Sequence, residues 1–147
     1  MRLTSFTDYA LRALIYLGTN EGRLVTKREI SEAYGLSLHH VGKIVHQLGL
    51  KGYVEVKRGR DGGVRLARSA DEIRLGDLVR DFEEMALVEC SPGRENHCPI
   101  TGVCGLIPIL NEAIQEFLAV LDGRTLADVL GGPRHQARYR ASFLVDD

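Results

Sequence analysis

Along residues 4–18, TSFTDYALRALIYLG, apolar side chains fall at Phe6, Ala10, Leu14 and Leu17, one side of a helix. Thr4 stands where an N-cap is needed, and Arg2 precedes the helix, free to reach a phosphate. In TKREISEAYG, Thr26 with Glu29 three residues on is a capping-box pattern, Gly35 breaks the short helix, and Ser37 caps the next one. Two helices joined by a tight glycine-containing turn predict a helix-turn-helix. On the second helix Val41, Ile44, Val45 and Leu48 gather on one side. The other side carries His39, Lys43 and His46, with His40 and Gln47 towards its edge. These are hydrogen-bond donors and a cation with no carboxylate among them, as a recognition helix requires. After Gly49 and Gly52 the period shortens. Tyr53–Val56 and Val64–Leu66 predict two paired strands, with Asp61-Gly62 as the hairpin turn. Lys57, Arg58 and Arg60 charge the tip, which makes this hairpin a wing for the DNA backbone or minor groove.

Ser69 and Asp71 open a further polar-to-apolar switch, continued by Ile73, Leu75, Leu78, Val79 and Phe82 as a helix. Its acidic background, Asp77, Asp81, Glu83 and Glu84, turns it away from phosphates. Ser91-Pro92-Gly93, Pro99 and Gly102 keep the next stretch irregular. Leu106, Leu110, Ala113, Phe117 and Val120 then recur at helical spacing, and Ile107, Ile114, Leu118 and Leu121 widen the stripe. One small domain cannot cover so broad an apolar surface, so the helix around 105–122 is expected to pair with its copy in a homodimer. From Gly131 to Asp147 the chain reads as a flexible tail. The expected fold is mainly α with a small β-hairpin wing. A winged helix-turn-helix domain spans 1–83, a loop and long dimerisation helix span 84–130, and the tail spans 131–147.

Composition changes this picture in one respect. The chain of 147 residues has a formal net charge of −1, but residues 1–68 hold twelve Lys and Arg against six Asp and Glu, and residues 69–147 hold seven against fourteen. The basic half is the one that carries the helix-turn-helix, so double-stranded DNA is its expected partner. His39, His40, Lys43 and Gln47 are the base-reading candidates. Ser37 stands beside them, and Arg12, Lys27, Arg28, Lys57, Arg58 and Arg60 are the phosphate or minor-groove candidates. A two-fold palindromic operator follows from a dimer of such modules. No apolar run is long enough to span a bilayer, and no signal-peptide series follows Met1, so a cytoplasmic protein without a membrane partner is expected. There is no H-E-x-x-H, no phosphate-cradling glycine loop and no Ser/His/Asp arrangement, and an enzyme is not expected.

All three cysteines, Cys90, Cys98 and Cys104, lie in the irregular segment VECSPGRENHCPITGVCG. In a reducing compartment clustered thiols point to metal or redox chemistry. The spacing C-x7-C-x5-C lacks the tight C-x2–4-C pairs usual for zinc. A glycine-containing loop that can wrap a cluster suits iron–sulfur binding, and a zinc site and a reactive-thiol sensor stay open beside it. Three thiolates leave one position for His97, a distant carboxylate or water.

The stretches MRLTSFTDYALRAL, KIVHQLGLKGYVEVKRGRDGGVRLAR and CPITGVCGL together resemble the dimeric winged-helix iron–sulfur regulators of the IscR/NsrR family, the NsrR branch most closely. The IscR branch carries a histidine three residues beyond its third cysteine, and Ile107 stands there in this chain. The resemblance implies a repressor that senses nitric oxide through a 4Fe–4S cluster, with 2Fe–2S second, held by Cys90, Cys98 and Cys104. It also implies Asp8 of the other subunit as fourth ligand, although an acid in the first turn of a helix is favoured there by the macrodipole alone. The alternative is a redox or iron–sulfur-status regulator of the same fold, thiol-only or 2Fe–2S, not responding primarily to nitric oxide.

Overall fold

Helix α1 (Ser5–Thr19) begins where the Thr4 hydroxyl accepts the Thr7 N–H at 3.3 Å. In the computed structural model, which describes residues 2–91, 93 and 95–144, the expected apolar side of α1 faces inward. Ala10, Leu14 and Leu17 are buried, and the half-buried Phe6 ring meets Phe82 with centroids 5.3 Å apart. Helix α2 (Lys27–Tyr34) opens on a complete capping box. The Thr26 N–H donates to Glu29 Oε2 at 2.7 Å, and the Glu29 N–H donates to Thr26 Oγ1 at 3.2 Å. Gly35 ends it at φ 61°, a left-handed conformation that glycine adopts without a Cβ penalty. Ser37 caps α3 (Leu38–Leu50) by accepting the His40 N–H at 3.2 Å.

Strands β1 (Val54–Lys57) and β2 (Gly63–Leu66) pair antiparallel, Val54 opposite Leu66 and Lys57 opposite Gly63. Val64 also exchanges backbone hydrogen bonds with Val25, at 2.9 and 2.7 Å, which pins the wing to the α1–α2 link. The tip differs from the two-residue Asp61-Gly62 turn. It holds residues 58–62, with the Gly62 N–H donating to the Gly59 carbonyl at 3.1 Å and Arg60 and Asp61 at the corner. Gly59, at φ 107°, supplies the left-handed residue. Gly62 is needed for another reason: a Cβ there would strike the Lys57 carbonyl oxygen.

The helix expected from Ser69 starts later, as α4 (Leu75–Phe82), because residues 70–75 spend backbone groups on a returning strand of chain. Leu75 N–H donates to the Arg124 carbonyl at 3.0 Å, Leu126 N–H to Ile73 at 2.8 Å and Ala127 N–H to Ala70 at 3.0 Å. Between these anchors run α4, the cysteine segment and α5 (Leu106–Asp122). Val79 of α4 packs with Ile114 and Leu118 of α5 in a small second core. Arg80 grips Asp122 through two bonds of 2.6 and 2.7 Å. Helix α6 (Leu126–Leu130) then returns to α1, and Leu126 and Leu130 join Leu14, Ile30, Val45 and Leu48 in the main core. The winged unit expected to close at residue 83 is therefore completed by residues 126–130.

The tail expected from 131 is likewise organised. Pro133–Ser142 form α7, whose Arg140 Nη1 donates to the Thr19 carbonyl at 3.0 Å, and Phe143 packs against the main core. The segment contains too few apolar groups to signal docking locally, and Tyr16 and Tyr34, the rings of the winged unit that Phe143 meets, lie more than a hundred residues away in sequence. Residues 145–147 of that tail lie outside the described residues. Among the described residues no helix is long and apolar enough to cross a membrane.

Candidate nucleic-acid interface and cysteine loop

Helix α3 divides as its sequence requires. Val41, Ile44, Val45 and Leu48 are buried, while His39, His40, Lys43, His46 and Gln47 are exposed. Ser37 is exposed at its start, with the hydroxyl committed to capping. Lys27 and Arg28 sit at the first turn of α2, and Lys57 and Arg58 lie across from them on the wing. Together they line an open groove of about 460 Å³ floored by Leu38, Val56 and Val64. Arg60 projects from the corner of the wing tip.

Ion pairing sorts these cations into two groups. Arg23 pairs with Glu29, Lys51 with Asp81, Arg65 with Glu55 and Arg80 with Asp122. Among the described residues Lys27, Arg28, Lys43, Lys57, Arg58 and Arg60 form no ion pair. A surface that leaves its cations unneutralised on one side is suited to a polyanion. Arg12 is the exception among the expected phosphate contacts. Its Nη2 lies 2.8 Å from Asp8 Oδ2 and its Nε donates to Asp8 Oδ1 at 3.1 Å. The guanidinium also sits 5.7 and 6.0 Å from the Tyr9 and Tyr34 ring centroids. The Asp8 hydrogen bond outweighs desolvation and raises the Arg12 pKa further.

Turns hold the described part of the cysteine segment. Ser91 Oγ donates to the Val88 carbonyl at 2.8 Å, and Thr101 Oγ1 contacts Asn96 Oδ1 and the Cys98 carbonyl at 2.8 and 2.9 Å. Cys90, Cys98 and Cys104 are half-buried free thiols, and His97 is exposed. Among the described residues no three His, Cys, Asp or Glu side chains are gathered into a group that could hold a metal ion, so neither the three sulfurs nor Asp8 converge within one chain. The donor chemistry nevertheless fits an iron–sulfur cluster: three unpaired thiols on a segment with no ladder to break.

Glu83 is a residue whose role the sequence does not display. Its Oε1 accepts the Thr4 N–H at 2.7 Å and the Thr4 hydroxyl at 2.9 Å, tying the end of α4 to the start of the helix that carries Asp8. Burial alone would raise its pKa, but hydrogen bonds from Thr7 and Thr4 prevail and hold it below the ordinary value. The two ends are 79 residues apart, so no local pattern could reveal the bond.

A winged helix-turn-helix with a row of cations on one face defines the class of a DNA-binding transcription regulator. Residues 3–132 match Rrf2, the iron-dependent transcriptional regulators, and the chain belongs to that family. It is 43% identical over 137 residues to the HTH-type transcriptional regulator NsrR of Bacillus licheniformis, a match covering 92% of this chain and 96% of that one. Among solved structures, T. potens IscR aligns with a TM-score of 0.68 at 26% identity, covering 88% of this chain and 86% of its own. CymR, the global cysteine regulator of B. subtilis, aligns at 0.66 and 28% identity, covering 88% and 95%. The expected family resemblance and the winged-helix fold are both borne out.

Proposed function

We propose that this chain represses transcription as a homodimer on a two-fold operator and releases that DNA in response to nitric oxide. The observation that carries the DNA-binding part is the row of unpaired cations on α2, α3 and the wing beside the exposed His39, His40 and Gln47. The 43% identity to an NsrR-named regulator supports the signal. Cys90, Cys98 and Cys104 would hold an iron–sulfur cluster, 4Fe–4S by the resemblance of the cysteine loop to the NsrR branch, and Asp8 of a second copy would close it. Held there, such a cluster would offer iron as the group that reacts with nitric oxide, with Asp8 as its one hard oxygen ligand among thiolates.

The chain's own residues supply the coupling. Asp8 lies on α1, whose inner side packs against α3 in the main core. Glu83 links the α1 start to the end of α4, from which the chain runs on into the cysteine segment. A change in what Asp8 binds is thus delivered to the support of the recognition helix, shifting the populations of its arrangements. Pairing through α5 is supported by its outward apolar groups, with Leu106, Ile109 and Val120 at 53%, 62% and 66% exposure.

The test is anaerobic purification with iron and sulfide analysis, followed by DNA-shift assays before and after nitric oxide. A brown protein that loses its operator on exposure is expected. Retained binding after full nitrosylation would sink the sensor reading. A second reading, a thiol-only redox regulator, is favoured by the three separated free thiols and by the likeness to a solved oxidised form of Staphylococcus aureus CymR, at TM-score 0.67 and 26% identity. Colourless protein whose DNA affinity changes with oxidants would establish it.

A further inference from the structure

Helix α7 lies beyond the family match, which ends at residue 132. It buries no residue of its own, yet it is fixed at its C-terminal end. The Phe143 ring lies 4.9 Å from that of Tyr16 on α1 and 5.3 Å from that of Tyr34, the last residue of α2. Tyr16 and Tyr34 also meet, at 6.3 Å and nearly edge-on. The Tyr34 hydroxyl donates to the Arg12 carbonyl at 2.9 Å, and burial pushes its pKa up, so the group stays a neutral donor. Within α2 only Ile30 is buried. The seating of α2 on the main core thus rests on Ile30 in its middle and on Ala33 and Tyr34 at its end. Ser37, the cap of the recognition helix, follows three residues later.

We propose that Phe143 is a positioning residue for DNA reading: it closes an aromatic wedge with Tyr16 and Tyr34 that holds the α2–α3 corner against α1 and sets the angle at which His39, His40, Lys43 and Gln47 meet base edges. The proposal rests on the reading of α3 as the recognition helix. Edge-to-face rings contribute attraction and geometry beyond the area they bury. Without Phe143, Tyr34 has space to turn into, and the corner it anchors gains freedom. Base-edge hydrogen bonds are sensitive to that freedom, whereas long Lys and Arg side chains follow a phosphate through small shifts. Loss of the wedge therefore reduces discrimination between sequences more than it reduces total affinity.

The experiment compares full-length wild type, Phe143→Ala and Phe143→Leu. The probes are a duplex selected from a random pool by the wild-type protein and a scrambled duplex of equal length and composition. Melting curves and amide hydrogen exchange accompany the titrations. For Phe143→Ala, operator affinity is expected to fall on the order of tenfold, the scale of losing one base pair of readout. Affinity for scrambled DNA should change less than about twofold, and exchange should quicken in residues 31–38 but not in the wing. Phe143→Leu should fall between the two, and it carries the comparison if the alanine variant fails to fold. An unchanged operator-to-scrambled ratio in a folded variant overturns the proposal, as does an equal loss on both duplexes. If the wild type selects no duplex, the DNA-reading assignment fails, while the exchange pattern still decides whether Phe143 holds the corner.

Discussion

Arg12 is gripped by both oxygens of Asp8 and flanked by two tyrosine rings, whereas Arg60 stands at the wing corner without an ion pair among the described residues. Binding DNA releases counterions in proportion to phosphates newly neutralised, so the two arginines should differ in salt dependence. In cluster-free protein, where Asp8 still holds Arg12, Arg60→Ala is expected to lower the slope of log affinity against log salt by about one unit, and Arg12→Ala to leave it nearly unchanged. Titrations across several salt concentrations check this, and equal slopes for both variants would refute the division of cations. Gly62 offers a second residue-scale prediction. A methyl group there meets the Lys57 and Gly59 carbonyl oxygens, so Gly62→Ala should distort the wing tip and destabilise the fold by about 1–3 kcal/mol. A melting curve measures the stability loss, and a drop in DNA affinity should accompany it. The sequence could show that glycines crowd this tip. It could not show which one takes the left-handed conformation and which makes room for a neighbouring carbonyl.

At the scale of elements, α2 and α4 are each secured by a carboxylate at an end. Burial would raise the Glu29 pKa, but the Thr26 backbone and Arg23 prevail and lower it, and Glu83 behaves alike at the end of α4. A carboxylate with a lowered folded pKa stabilises the native state above its unfolded value and loses that contribution as pH falls through the folded value. Melting temperature should hold from pH 7 to about 5.5 and decline once pH passes below about 4.3, the ordinary glutamate value. Glu83→Gln should flatten part of that decline, and an unchanged acid limb would deny Glu83 its role. These elements also show where local sequence suffices. The capping box at Thr26 and Glu29 and the four buried positions of α3 lie within a few residues of each other, so periodicity and cap chemistry reveal them. The late start of α4 and the docking of α7 depend on partners at 124–127 and at Tyr16 and Tyr34, which no local window contains. The cysteines were legible as a group because all three share one loop, but their closure into a site depends on geometry that spacing does not encode.

For the whole molecule, the outward face of α5 is an exposed apolar surface, with Val120 at 66% and Val103 in the preceding loop at 87% exposure. Val120→Glu should convert a dimer to monomers in sedimentation velocity and weaken operator binding by about tenfold or more, because half-sites read together gain from linkage. A monomeric wild type would remove the basis of that expectation. The neck joining this arm to the winged unit has a further consequence. Residues 70–75 are bonded to 124–127, so the chain leaves and re-enters the winged unit at one place, and α4 is tied back to that unit by Leu78 in the main core and by Asp81 with Lys51 and Tyr53. Such an arm has two feet and no slack. A push on it cannot be absorbed by stretching a single connection. It reaches the winged unit as a turning couple, so the molecule is built to report changes of orientation rather than of distance.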